Sequence, residues 1–266
     1  QVKEITKEIE KQQIKGPSGN LVRIEIFVHG ALCMAVSGKC YMSLHTANSS
    51  ANRGACMQNC RKTYVVTDKE DGHQFDINNE YIMSPKDLCA IGFLDQVLDS
   101  GSNILKIEGR GRSPEYVKIT TQCYREAADA YLEGTYNKEK VKGWMNRLKT
   151  VYNRGFWDGY YLGQKMGEWA EIHGSKATKK KIYLGKAKKY FAKIQVAEFD
   201  LETQKLKEGD NILITGRTTG IIETIAGEIR INDKRVEDVN KGDKFSMKLN
   251  HKVHPNDKLY KVTNIQ

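Results

Sequence analysis

Residues 22–29, Val22-Arg23-Ile24-Glu25-Ile26-Phe27-Val28-His29, alternate between apolar and polar and then turn apolar. That pattern predicts a buried strand, ended by Gly30. The period is then lost: residues 30–62 are rich in Gly, Ser and Asn and are expected to be mostly loop. A helical spacing returns over 85–100, with Pro85 near the first turn and Leu88, Ile91, Leu94, Val97 and Leu98 on one face. A short strand is expected over 103–108, then helices over 114–133 and 137–151. The charged first fifteen residues predict a surface helix. Alternating strands and helices imply a parallel α/β arrangement. The fold class expected is α/β, as the C-terminal half of a TIM-like barrel, because so few units do not close a sheet. The chain does not begin with Met and opens in mid-pattern, so an N-terminal portion is expected to precede Gln1.

Beyond residue 190 the pattern changes to short β-rich runs at 190–198, 211–214, 220–225, 227–231, 244–249 and 259–262, separated by turn signals such as Glu208-Gly209-Asp210 and Lys241-Gly242-Asp243. Regularly spaced short strands suggest a small β-barrel. The boundary is expected within 170–189. The resulting division is a partial α/β barrel with a cysteine-bearing insert over 1–175, a basic linker over 176–189 and a β-barrel over 190–266.

Charge sharpens this picture. The formal net charge is +10, and residues 174–266 carry 20 Lys+Arg against 12 Asp+Glu. A basic C-terminal third points to a polyanionic partner, RNA foremost. No apolar run approaches the roughly 20 residues of a membrane span, and there is no secretory apolar segment at the start; a cytoplasmic protein with no membrane partner is expected. The oligomeric state is not legible.

Six cysteines are too few for a disulfide scaffold. Cys89 and Cys123 sit in apolar runs and read as plain buried thiols. The other four, Cys33, Cys40, Cys56 and Cys60, follow a Cys-x6-Cys-x15-Cys-x3-Cys spacing. Four thiolates complete a tetrahedral zinc site or a 4Fe-4S cluster. The first pair is wider than a zinc knuckle, which favours iron–sulfur and leaves zinc as the alternative. Arg53 and Arg61 flank the last two cysteines and would offset a cluster's negative charge. Lys106-Ile107-Glu108-Gly109-Arg110-Gly111-Arg112 follows a strand directly, where α/β barrels carry their sites. Lys106 and Glu108 are expected to point inward and pair. Arg110 and Arg112 precede a helix start at Pro114, a natural anion pocket. Lys106, Glu108, Arg110 and His29 are the candidate catalytic residues. A lone strand-end His is more often hydrogen-bonded structure than a base or ligand, so His29 is placed outside the ligand set. Arg53, Arg61, Arg112 and Arg154 are the candidates for RNA or anion contact. The aromatic run from Asn153 to Tyr160 suits packing better than base stacking.

These pieces resemble the peptidase U32 family. The segments Phe27-Val28-His29-Gly30-Ala31-Leu32-Cys33, Ser37-Gly38-Lys39-Cys40 and Ala51-Asn52-Arg53-Gly54-Ala55-Cys56-Met57-Gln58-Asn59-Cys60-Arg61 are similar to its signature. Ser84-Pro85-Lys86-Asp87-Leu88-Cys89, Lys106-Ile107-Glu108-Gly109-Arg110 with Ser113-Pro114-Glu115-Tyr116-Val117, and Asn153-Arg154-Gly155-Phe156 with Gly159-Tyr160-Tyr161-Leu162-Gly163 resemble further blocks. The family often has Gln-Pro-Cys where this chain has Gln58-Asn59-Cys60. The first half of the family's α/β domain would precede Gln1. Residues 190–262 resemble its C-terminal barrel, which is similar to domain II of translation factors. The resemblance implies two functions. One is collagenase-like peptide hydrolysis. The other is hydroxylation of a tRNA wobble uridine by a prephenate-derived step, with a 4Fe-4S cluster at the four cysteines, prephenate as a co-substrate and tRNA as partner. No His-Glu-x-x-His, Gly-x-Ser-x-Gly or clear Cys–His pairing is present to support hydrolysis, so RNA hydroxylation is the favoured expectation and a non-catalytic RNA-binding fragment the third reading.

Overall fold

A computed structural model describes residues 1–33, 35, 39–77, 84–165, 167–171 and 174–265. Ser37 and Gly38 of the signature segment, and residues 172–173 of the expected boundary, lie outside these. The chain divides into two compact units: residues 1–112 with 116–177, and 113–115 with 178–266.

The first unit opens on α1 (Val2–Gln12), followed by β1 (Glu25–Ala31), α2 (Met42–Ala47), β2 (Tyr64–Thr67), β3 (Gln74–Ile77) and β4 (Asp87–Cys89). After these come α3 (Leu94–Asp99), β5 (Ile104–Ile107), α4 (Pro114–Leu132), α5 (Lys138–Leu148) and β6 (Phe156–Trp157). Four strands form one sheet in the order β5-β1-β4-β6. β1 runs parallel to β5, with Glu25 opposite Ile104, but antiparallel to β4, with His29 opposite Cys89. The buried face of this sheet and its helices meet around Val28, Ile91, Leu94, Tyr124, Trp144 and Leu148. β2 and β3 form a separate hairpin.

The sheet is therefore mixed, and among the described residues it does not close. The unit is α/β as expected, but a half TIM-like barrel, whose strands would all run parallel, is not confirmed, since β4 runs antiparallel to β1. The difference starts at residue 85. Pro85 makes an isolated bridge to Trp169, Lys86 N–H donates to Glu168 O, and Asp87 N–H donates to Gly155 O. A 3-10 turn over Ala90–Phe93 then intervenes before α3. Asp87, Leu88 and Cys89 are all buried. A short strand buried on both faces looks like an apolar helix face when read by spacing alone.

The second unit contains β7 (Lys179–Phe191), β8 (Val196–Leu201), β9 (Leu206–Lys207), β10 (Asn211–Gly216) and β11 (Gly220–Ile225). It continues with β12 (Ile229–Ile231), β13 (Lys234–Val236), β14 (Asp238–Val239), β15 (Lys244–Lys248) and β16 (Lys258–Asn264). Eight of these make a sheet in the order β11-β10-β16-β7-β8-β15-β12-β13, and β9 pairs with β14. Its core holds Leu184, Ile214, Ile229 and Leu259 and a stacked pair, Phe199 and Phe245, with ring centroids 5.4 Å apart. The stretch expected as a basic linker is most of β7, the longest strand. Its centre, Leu184, Gly185 and Ala187, is buried, while Lys179, Lys180 and Lys181 at its start and Lys188 and Lys189 near its end are exposed, and register shifts in its pairing with β16 and β8 interrupt strict alternation. Among the described residues no helix is long and apolar enough to cross a membrane.

Candidate metal centre and arginine cluster

The cysteine segment has more structure than its composition implied. Cys33 lies just beyond β1, Cys40 precedes α2, and Cys60 sits in a 3-10 turn over Asn59–Arg61. Buried Asn59 ties this turn to α2, donating from Nδ2 to Met42 O at 3.2 Å and to Thr46 Oγ1 at 2.6 Å. Met57 N–H donates to Ser43 Oγ at 3.0 Å, and Tyr64 O–H to Asn59 O at 2.8 Å. Gly54, at φ +87°, lies against the Arg110 guanidinium; a Cβ there would come within 2.0 Å of Nη1. That contact docks the segment after β5 onto the cysteine loop.

All four clustered thiols are free; Cys33 and Cys56 are exposed, Cys40 and Cys60 half-buried. Burial raises the Cys60 pKa, Arg61 opposes the rise, and Cys33, Cys56 and Cys40 each add to it, so the four thiols share one electrostatic neighbourhood. Gln58 N–H points to Cys56 Sγ at 3.4 Å. In this conformation no three His, Cys, Asp or Glu side chains among the described residues are close enough to hold one ion. The fit to a metal is thus one of donor type and neighbourhood: four soft sulfur donors beside a cation. Cys89 and Cys123 are different. Burial pushes their thiols up to about 12 and about 11, which keeps them protonated and inert.

The candidate catalytic residues separate. His29 is buried beneath the sheet end, its Nδ1 3.3 Å from Tyr124 Oη and its ring against Tyr116, Tyr124 and Phe156. Burial first, and then the Arg112 charge, lower its pKa to about 3, so it is neutral. Lys106 does not turn inward to meet Glu108. It lies on the exposed side of β5, paired with Glu25 Oε1 at 2.6 Å and 4.9 Å over the Phe27 ring. Its neighbour across the sheet is the exposed Phe27, so this face is solvent and an inward turn would bury a charge. Glu108 lies past the strand end, where alternation no longer applies; its N–H donates to His29 O at 2.9 Å and its Oε1 accepts the Arg110 N–H at 2.8 Å.

Two of the four candidate arginines, Arg112 and Arg154, converge on Asp87, a residue 2% exposed, and Arg61 lies alongside. Asp87 Oδ2 accepts the Arg154 backbone N–H at 3.0 Å. Its Oδ1 lies 3.4 Å from Arg154 Nη1 and 3.8 Å from Arg112 Nη2. The Tyr152 ring stands 4.2 Å from the Arg112 guanidinium and 5.0 Å from that of Arg154. Arg61 donates to Ser84 Oγ, Pro85 O and Leu32 O at 3.1, 3.2 and 2.9 Å. Burial, then the Arg154 charge, lower its pKa, and Asp87 partly offsets this. Arg53 stays exposed on its own 3-10 turn. Asp87 and Tyr152 were not expected at the site. A charge set between Pro85-Lys86 and the apolar Leu88-Cys89 pair was the available signal, since a buried carboxylate needs cations.

A family model described as peptidase family U32 matches residues 2–171. This chain belongs to peptidase family U32. The U32 chain is 55% identical over 261 residues to a collagenase of Porphyromonas gingivalis, covering 98% of itself and 63% of that relative. It is 32% identical over 229 residues to tRNA hydroxylation protein P1 of Bacillus subtilis, covering 78% of itself and 51% of the relative. It is also 30% identical over 222 residues to a 23S rRNA 5-hydroxycytidine C2501 synthase of Escherichia coli, covering 80% of itself and 33% of that protein. The chain thus spans less than two thirds of the length of each of these U32-related proteins.

Proposed function

We propose that this chain serves an RNA-hydroxylating protein that adds one oxygen to a pyrimidine ring, with a tRNA wobble uridine as target and a prephenate-dependent step, and that Cys33, Cys40, Cys56 and Cys60 hold a 4Fe-4S cluster. The observation that carries the reading is the shared neighbourhood of four free thiols on a loop fastened to the sheet end. A bound cluster would supply one-electron redox chemistry. The protein's own residues hold the loop: Asn59 and Ser43 tie it to α2, and Arg61 places positive charge beside Cys60. The relatives named for tRNA hydroxylation and rRNA hydroxycytidine synthesis support RNA as the partner. The exposed lysines of β7 that no ion pair among the described residues engages, Lys179, Lys180 and Lys189, supply phosphate contacts.

The 55% identity to a collagenase favours a second reading, peptide hydrolysis. His29 and Cys89, which stand opposite each other across β1 and β4, do not serve it as a Cys–His pair. Both are buried, the imidazole is neutral and the thiol is held protonated. Protein purified without oxygen is expected to be brown, with about four iron atoms per chain, and Cys60→Ser is expected to lose most of that iron. RNA from a strain lacking the gene is expected to lose the one-oxygen mass gain on its target pyrimidine. Colourless protein with stoichiometric zinc would sink the cluster, and gelatin cleavage by homogeneous protein with unchanged RNA would establish the peptidase.

A further inference from the structure

We propose that Arg112 and Arg154, with Arg61 alongside, form a binding site for one small anion: a carboxylate or phosphate group on a low-molecular-weight solute. The side chains of Arg112 and Arg154 are only 10% and 8% exposed, yet both turn to the same oxygen of one carboxylate, Asp87. At 3.8 Å the Arg112 contact is too long for a hydrogen bond. Arg112 Nε is buried and has no hydrogen-bond partner among the described residues. Among the described residues Asp87 is the only carboxylate paired with either guanidinium. A closed structural network would match each buried cation with an anion and fill its donors. Here two cations share one, and a donor stands open.

The surroundings hold the fork in place for a ligand. Tyr152 packs against both guanidinium groups, Gln58 Oε1 accepts from Arg154 Nη2 at 3.3 Å, and Tyr116 lies 5.4 Å from Arg112. His29, whose imidazole feels the Arg112 charge, is neutral and adds nothing to the positive excess. The planar guanidinium matches carboxylate and phosphate alike. Burial sets the size: a polynucleotide backbone tracks open grooves, whereas these side chains are nine-tenths enclosed. The site does not depend on the RNA reading, since an anion would bind whichever reaction follows.

The test is calorimetric titration of the full chain with two probes, inorganic phosphate and malonate, at constant ionic strength in chloride. At least one probe is expected to saturate at one per chain; the probe that binds more tightly names the ligand class. Arg112→Gln is expected to weaken binding by about tenfold or more and Arg112→Lys to restore part of it. Arg125→Gln, an exposed α4 arginine paired with Asp129, is expected to bind as the parent does. If Arg112→Gln does not fold by circular dichroism, the thermal shift given by the bound probe decides: it is smaller in Arg112→Lys than in the parent. Saturation by neither probe, wild-type affinity in Arg112→Gln, or equal thermal shifts in Arg112→Lys and the parent would overturn the site. Iron content and RNA modification enter none of these measurements, so the RNA reading stands or falls separately.

Discussion

His29 and Gly30 show how single positions fix the sheet end. Gly30 has φ +124°, and a Cβ there would sit 2.7 Å from Glu108 Cβ and 2.9 Å from the Glu108 carbonyl oxygen. Backbone cannot move aside as a flexible side chain does. Gly30→Ala is therefore expected to cost about 2 kcal/mol or more from backbone strain and overpacking, read as a lower urea midpoint. His29 adds a pH dependence. Its pKa falls from 6.5 to about 3 on folding, chiefly by burial. Between those values the unfolded chain binds the proton and the folded chain does not. Stability from this group is full above about pH 6.5 and is lost as pH falls toward 3. At about 1.36 kcal/mol per pKa unit the swing is on the order of several kcal/mol. His29→Phe retains ring packing and removes the titration, so the gap in unfolding free energy between parent and variant should narrow on acidification. A constant gap from pH 7 to 4 would refute the assignment.

β4 is the element on which the arginine cluster depends, and the one that spacing misread. Asp87 carries the only carboxylate among the described residues that Arg112 and Arg154 share. Asp87→Asn keeps shape and most hydrogen-bonding capacity but leaves two buried guanidinium groups without their counter-charge. A loss of about 3–5 kcal/mol is expected, measured by urea unfolding, and a loss below 1 kcal/mol would mean the pair is screened by water. α1, α4 and α5 were legible because each spans several turns with a periodic face. The β1 strand was legible because its alternation runs into a glycine that the fold needs. β4 and the 3-10 turn after it were not, because three buried residues carry no period of their own. α2 was missed for the opposite reason: its six residues, Met42-Ser43-Leu44-His45-Thr46-Ala47, are held by Asn59 and Ser43 contacts rather than by an apolar stripe. At the site, residue types were readable and their partners were not. Lys106 was seen as a site charge, but its pairing with Glu25 rather than Glu108 depends on which sheet face is solvent, and only the β1–β5 register decides that.

At the scale of the whole molecule, the charge asymmetry is the feature with the farthest reach. The 20 Lys+Arg of residues 174–266 face 12 Asp+Glu, and several of those lysines are already engaged: Lys186 with Glu202, Lys188 with Asp200, Lys205 with Asp238 and Lys261 with Asp210. Such pairs hold strands together and contribute little net field. Lys179, Lys180 and Lys189 are different. They are exposed, and no ion pair among the described residues involves them; Lys189 lies 4.8 Å over the Phe191 ring. If the second unit grips RNA, these are the charges that displace counterions. The logarithm of affinity for a single-stranded RNA should then fall linearly with the logarithm of salt, by roughly 0.7 per phosphate neutralised. Replacing all three lysines by glutamine should reduce that slope by about 2. The buried Leu184 and Ala187 of β7 are untouched by the change, so the thermal midpoint should stay close to that of the parent. An unchanged slope would move the RNA surface off this sheet, while a lost slope with a lowered midpoint would mark the lysines as structural.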